Sequence, residues 1–239
     1  MILTKPIWTI KDKDEFISYL ETKRNESKVA WSKNILNTPS DVLALKTKDM
    51  VDIAKEIYKG NYQSFLDLKI TNYYETIALY GMLLNRTDEY NTLMTYIIPY
   101  IDMMDCWAHC DLIKLPMQDK HMKDYIELSL SLRHDDRVFA RRFSLFILFQ
   151  YVKDKSVLPL IFDSMKDLKE EDAYYVIMMA GWLLSEALIL HKEATESFLS
   201  SNELNPKIVN KAIQKCRESN RLSKEEKDYL LKYKMKNKK

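Results

Sequence analysis

A chain of 239 residues has room for one domain or two small ones, at roughly 150 residues per domain. Its three glycines, Gly60, Gly81 and Gly181, fall far below the roughly 7% of an average protein. No stretch offers the glycine-rich loop with which Walker-type nucleotide hydrolases and Rossmann dehydrogenases approach phosphate, so both classes are excluded. The net charge of +2 does not announce a polyanion partner, but it is unevenly spread: Arg221 to Lys239 carries eight basic and three acidic residues, net +5, which leaves −3 for the preceding chain.

In chain order, the stretch MILTKPIWTIKDKDEF has no apolar run of signal-peptide length. Helical periodicity is clear at Met50, Ile53, Ala54 and Ile57, which share one helix face at i, i+3, i+4 and i+7. Ile77, Tyr80, Gly81 and Leu84 repeat the pattern after Tyr73 and Tyr74; Glu75 in that segment is expected to satisfy a neighbouring helix or an arginine sooner than to face a groove. Asp88 opens the next helix. The stretch Ile101 to Lys114, IDMMDCWAHCDLIK, places Trp107 and Asp111 one turn apart, so an indole and a carboxylate point to the same side. It also gathers Cys106, His109 and Cys110, but Cys-x3-Cys on one helix without a clear fourth ligand does not describe a zinc site, and no metal is expected.

Arg141 and Arg142 open an otherwise apolar helix; the run Arg142 to Val152, RFSLFILFQYV, is apolar on most sides and reads as central. So does Tyr174 to Leu190, which carries Trp182 after Gly181. That run is shorter than the roughly 18 to 20 apolar residues of a membrane span and contains Ser185 and Glu186, so no membrane contact is expected. Ser156 ahead of Pro159 and Asn205 ahead of Pro206 mark helix starts, and Val209, Ala212, Ile213 and Cys216 form a further apolar face. His121, His134 and His191 are scattered without nucleophile spacing. Cys106, Cys110 and Cys216, an odd trio, read as reduced thiols of a cytoplasmic protein. The basic end is a solvated helix end with some capacity to hold phosphates.

Strand signals are scarce, so the fold class is all-α. Helical pairs beginning near Lys48, Asp88, Asp119, Ser156 and Ala194 are 40, 31, 37 and 38 residues apart, a spacing that suits HEAT-like repeats. They share no clear repeat sequence, so periodicity leaves an α-solenoid and an irregular bundle both open. With no long linker, residues 1–239 are expected to form a single domain with a basic tail at about 221–239.

Six segments in order then resemble the AlkD-like DNA alkylation repair family: AKEI (Ala54 to Ile57), YYE (Tyr73 to Glu75), CWAHCD (Cys106 to Asp111), RFSLF (Arg142 to Phe146), YYVIMMAGWLLSE (Tyr174 to Glu186) and NKAIQKCRESNRLS (Asn210 to Ser223). The resemblance implies a superhelical array of HEAT-like repeats whose concave surface binds double-stranded DNA containing alkylated bases. By position it assigns Trp107, Asp111, Arg142 and Trp182 to that surface, with Trp31 in AWSKNIL as the early aromatic. The implied function is a monofunctional DNA glycosylase excising cationic N-alkylated purines such as 3-methyladenine and 7-methylguanine, acting as a monomer without a cofactor. Asp111 would be catalytic, since an already cationic base needs no strong acid to leave and a carboxylate stabilises the sugar cation and positions a water. Trp107 and Trp182 would stack on lesion or deoxyribose, and Arg142 would grip a phosphate. The alternative is a non-catalytic HEAT-like module that binds damaged or branched DNA or a protein partner.

The chain also departs from the family pattern. Where relatives often read Gly-Val-Arg-x-Pro-x-Leu-Arg, this chain has Ala44, Lys46, Lys48 and Val51 for the Gly, first Arg, Pro and second Arg, and Ser185 stands where an Arg is frequent.

Overall fold

Helices form wherever apolar residues recur every three to four positions. The computed structural model describes residues 1–115 and 119–236, and these contain fourteen α-helices and no strand. Among the described residues no helix is long and apolar enough to cross a membrane. The chain divides into two compact units, Met1–Pro116 and Met117–Lys239.

The first unit contains α1 (Ile10–Glu21), α2 (Glu26–Leu36), α3 (Thr47–Tyr58), α4 (Tyr62–Asp67), α5 (Tyr74–Leu84), α6 (Tyr90–Met103) and α7 (Trp107–Leu112). Met50, Ile53, Ala54 and Ile57 of α3 are all buried, as the periodicity requires. Trp8, ahead of α1, is a core residue that meets Phe16 and Phe65 edge-on, at ring separations of 5.6 and 5.0 Å. Helix α5 packs against α3, α6 and α7 and is buried nearly all round. Gly81 permits this, because a Cβ there would lie 2.5 Å from the Tyr100 hydroxyl of α6. The expected opening of α6 at Asp88 is displaced by one residue: Glu89 occupies the cap position and its longer carboxylate accepts the Thr92 N–H at 3.3 Å.

The second unit contains α8 (Asp119–Leu132), α9 (Val138–Gln150), a 3-10 turn at Lys155–Val157, α10 (Leu158–Asp167), α11 (Tyr174–Leu190), α12 (Lys192–Ser201), α13 (Pro206–Glu218), α14 (Lys224–Tyr229) and a 3-10 turn at Leu230–Tyr233. Helix α9 packs between α8 and α11, and α11 between α9 and α13, so the two apolar runs are central within this unit. Ser129 and Ser144 exchange hydroxyl-to-carbonyl bonds of 2.8 Å that tie α8 to α9. Asn205 caps α13 as expected, accepting the Lys207 N–H at 3.0 Å, and its amide nitrogen donates to the Leu168 and Glu171 carbonyls.

Candidate functional site

Trp107 and Asp111 lie on α7, a six-residue helix too short to hold itself. Its position comes from the residues around it. The Asp105 carboxylate accepts from the Thr38 hydroxyl at 2.9 Å and from Ser40, and meets His109 Nδ1 at 3.2 Å. His109 is fully buried, stacks on Tyr74 at 4.8 Å and places Nε2 3.1 Å from the Tyr74 carbonyl. The fully buried Tyr100 hydroxyl donates to the His109 carbonyl at 2.8 Å. One side of α7 is thereby fixed, and Trp107 and Asp111 are left half-buried. Trp107 is anchored as well, its Nε1 donating to the Ile35 carbonyl of α2 at 3.2 Å.

Burial would raise the Asp105 carboxyl, but the hydrogen bonds from His109 and Ser40 outweigh it and leave it below the ordinary range. Burial pushes the Cys106 thiol up to about 12, so it is protonated at neutral pH. Asp105, Cys106 and His109 are the one group among the described residues with potential metal-ligating atoms, all within 4.8 Å of one another. Because the carboxylate already accepts from Thr38 and Ser40 beside His109, and the thiol holds its proton, the group is a hydrogen-bonded anchor for α7.

Trp31 lies on α2, a helix with no buried residue, and is 64% exposed. It borders a groove of about 570 Å³ within the first unit, together with Lys28, Ile35, Lys46, Tyr74 and Glu75. The loop before α3 shapes this groove. Ala44 adopts φ 56°, the left-handed region, and the N–H groups on either side of it, Leu43 and Leu45, donate to the Glu75 carboxylate at 3.0 and 3.3 Å. Glu75 therefore satisfies loop backbone in place of the expected helix or arginine, while lying at the groove's base. A groove lined by an exposed indole together with Lys28 and Lys46 has the chemistry to stack on a flat ring and to neutralise an anion.

Arg142 and Trp182 belong to the second unit, and both attach to α11. Arg142 is 5% exposed and its Nη1 donates to the Tyr175 carbonyl at 2.9 Å. The adjacent Arg141 turns the other way, into a pair with Glu171 at 2.9 Å. Trp182 is half-buried against Phe149, ring centres 4.4 Å apart. Ser185 is buried and donates to the Trp182 carbonyl at 2.7 Å, so this departure from the family pattern falls at a packed position. Within the first unit, then, Trp107 is joined through Ile35 to the helix of Trp31. Sequence reasoning did not find Thr38, Ser40 and Tyr74, which position α7, because their partners are distant in the chain and nothing in their own spacing marks them.

No curated protein and no solved structure matches the chain significantly. A family model described as DNA alkylation repair enzyme does, over residues 16–216, a range that takes in Trp31, Trp107, Asp111, Arg142 and Trp182. The chain belongs to the DNA alkylation repair enzyme family, as the AlkD-like resemblance of its ordered segments led us to expect.

Proposed function

We propose that this protein is a monofunctional DNA glycosylase that hydrolyses the N-glycosidic bond of cationic N-alkylated purines in double-stranded DNA. Membership of a repair family gives the class. The observation that carries the finer reading is α7, which presents a half-buried carboxylate, Asp111, one turn from a half-buried indole, Trp107, on a helix fixed through its other side. A leaving base that is already cationic needs no general acid, so one carboxylate suffices: it stabilises positive charge on the sugar and orients the attacking water. The Trp107 face favours a cationic ring by ~0.5 to 2 kcal/mol. Trp31 beside Lys28 and Lys46 in the first unit, and Trp182 in the second, supply further aromatic surface for DNA. Arg142 contributes a positive charge from a buried position. The reading carries with it the HEAT-like architecture, supported within the second unit by the packing of α8 on α9, α9 on α11 and α11 on α13, and a monomer acting in the cytoplasm.

A second reading, DNA or protein binding without excision, has its own support. The segment that leads into and opens α3 has Ala44, Lys48 and Val51 where the family pattern has Gly, Pro and Arg, and the Arg142 guanidinium is almost wholly enclosed. Incubation of the purified protein with methylated genomic DNA separates the two. Release of free 3-methyladenine or 7-methylguanine is expected, and its absence in the presence of DNA binding would select the binding module.

A further inference from the structure

The second unit holds a larger groove, of about 930 Å³, walled by α11, α13 and the segment that follows α13. Its lining is amphipathic. Ile177, Met178, Ile213 and Leu231 supply apolar surface, and Tyr174 stands in it with 63% of its surface exposed. Around them the lining carries six cationic side chains against three acidic ones, and one of those acids, Glu218, is engaged by Lys215 at 3.1 Å.

Most basic residues elsewhere on this unit are paired. Arg133 meets Asp167 at 2.8 Å, Arg137 meets Asp135 at 2.7 Å, Lys166 meets Asp163 at 3.1 Å and Lys169 meets Glu203 at 2.6 Å. In the groove, Lys207, Arg217, Lys224, Lys227 and Lys234 make no side-chain hydrogen bond or ion pair among the described residues. An excess of one sign of charge gathered in one concavity concentrates counter-ions, here anions, in it.

The wall that carries Lys224, Lys227 and Lys234 is the helix end read from the sequence, held in place at several points. Ser223 and Glu226 form a reciprocal cap at the start of α14, and Leu230 is buried. The Asn210 amide then holds the backbone of Met235 from both sides, donating to its carbonyl and accepting its N–H, each at 2.9 Å. Residues 224–236 lie beyond the range that the family model matches.

We infer that this groove binds the phosphodiester backbone of a DNA strand, as a phosphate-holding subsite additional to Trp107, Asp111, Arg142 and Trp182. The inference rests on the reading that DNA is the ligand. Flexible lysines along a groove suit evenly spaced phosphates and carry no base code, while the exposed Tyr174 ring gives a sugar or base a flat surface. Contacts of this kind set affinity and its salt dependence and leave the bond-breaking step untouched.

The test uses the full chain and an undamaged, fluorescently labelled DNA duplex titrated across a range of salt concentrations. Replacing Arg217, Lys224 and Lys227 together by Gln is expected to weaken binding at low salt at least 10-fold and to reduce the salt-dependence slope by about 2 to 3, since each lost phosphate contact removes about 0.9. A triple variant of equal charge on the α10 side, Lys155→Gln, Lys166→Gln and Lys169→Gln, should leave the slope at the wild-type value. Asn210→Ala retains every groove cation but frees the wall, and should lower the slope by about one. Equal slopes for the wild type and the groove variant would overturn the subsite while leaving the repair reading intact. An acidic peptide that binds the wild type but not the groove variant, with DNA binding unchanged, would overturn it in favour of a protein partner. A wild type that binds no DNA would remove both readings.

Discussion

Ala44 sits in the left-handed region between the two backbone N–H groups that the buried Glu75 carboxylate accepts. Two N–H groups flanking a left-handed residue form a concave anion site, and here the anion is the protein's own. The arrangement suits glycine at this place better than alanine. A left-handed L-residue costs roughly 1 to 2 kcal/mol, against roughly 0.5 to 1 kcal/mol for the extra chain entropy of glycine. Ala44→Gly is therefore expected to stabilise the fold by about 0.5 to 1 kcal/mol, a rise in Tm of roughly 1 to 4 °C in a chain of this size. Glu75→Ala should do the reverse, leaving two buried donors unmet at a cost of about 2 to 4 kcal/mol. Thermal melts of the two variants decide it: a lower Tm for Ala44→Gly would show that the loop gains nothing from relief at that residue.

How much of this was legible varies with the range of the interaction. The Tyr174–Leu190 helix, the Asn205 cap ahead of Pro206 and the buried face of α3 were readable because each is written in neighbouring residues. Ala44 could not be read, since an alanine gives no sign of a positive φ. Nor could the fates of Arg141 and Arg142: successive helix positions differ by about 100°, so one reaches Glu171 and the other is enclosed against α11, and only tertiary packing decides which. The bond from Thr38 to Asp105 spans 67 residues, and the Asn210 clasp on Met235 engages backbone, which carries no sequence signature. Trp8 makes the same point among the tryptophans: nothing local separates it from Trp31, yet it is 3% exposed and Trp31 64%.

The anchor under α7 should respond to acid. The Asp105 carboxyl is held below its ordinary value of 3.8, with burial opposing and the His109 and Ser40 hydrogen bonds prevailing. A carboxyl depressed in the folded state stabilises it fully above the unfolded value and loses that contribution as pH falls through the folded one. Asp105→Asn should accordingly lower the Tm at pH 7, and the gap from wild type should narrow as pH drops below about 4. Melting curves between pH 7 and pH 2.5 test the sign, and a gap independent of pH would mean that the charge of Asp105 contributes nothing.

Gly81 bears on α7 from below. A Cβ there would come 2.5 Å from the Tyr100 hydroxyl and 2.9 Å from Leu112 Cδ2, and Tyr100 is fully buried with its hydroxyl committed to the His109 carbonyl. The ring has no free space to retreat into, so Gly81→Ala forces α5, α6 and α7 apart. A loss of about 2 kcal/mol is expected, or roughly 4 to 8 °C in Tm. A variant melting within a degree of wild type would contradict the close packing of these three helices.

The sharpest test of catalysis is the charge of Asp111. Asp111→Asn preserves the side chain's shape on α7, and because the residue is half-buried at the end of a short helix, folding should change little. What is lost is the attraction between a carboxylate and the cationic sugar, worth about 4 kcal/mol at 4 Å and an effective dielectric constant of 20. An amide recovers part of this through its dipole, so excision should fall by about 100-fold or more. Trp107→Ala, by contrast, removes the stacking face, and its cost should appear as weaker binding of alkylated over undamaged DNA. Single-turnover release of 7-methylguanine at saturating enzyme isolates the chemical step from binding. Equal rates for wild type and Asp111→Asn would remove the carboxylate from the mechanism, whereas a slow but saturable Asp111→Asn that binds DNA like wild type would place its contribution in the transition state.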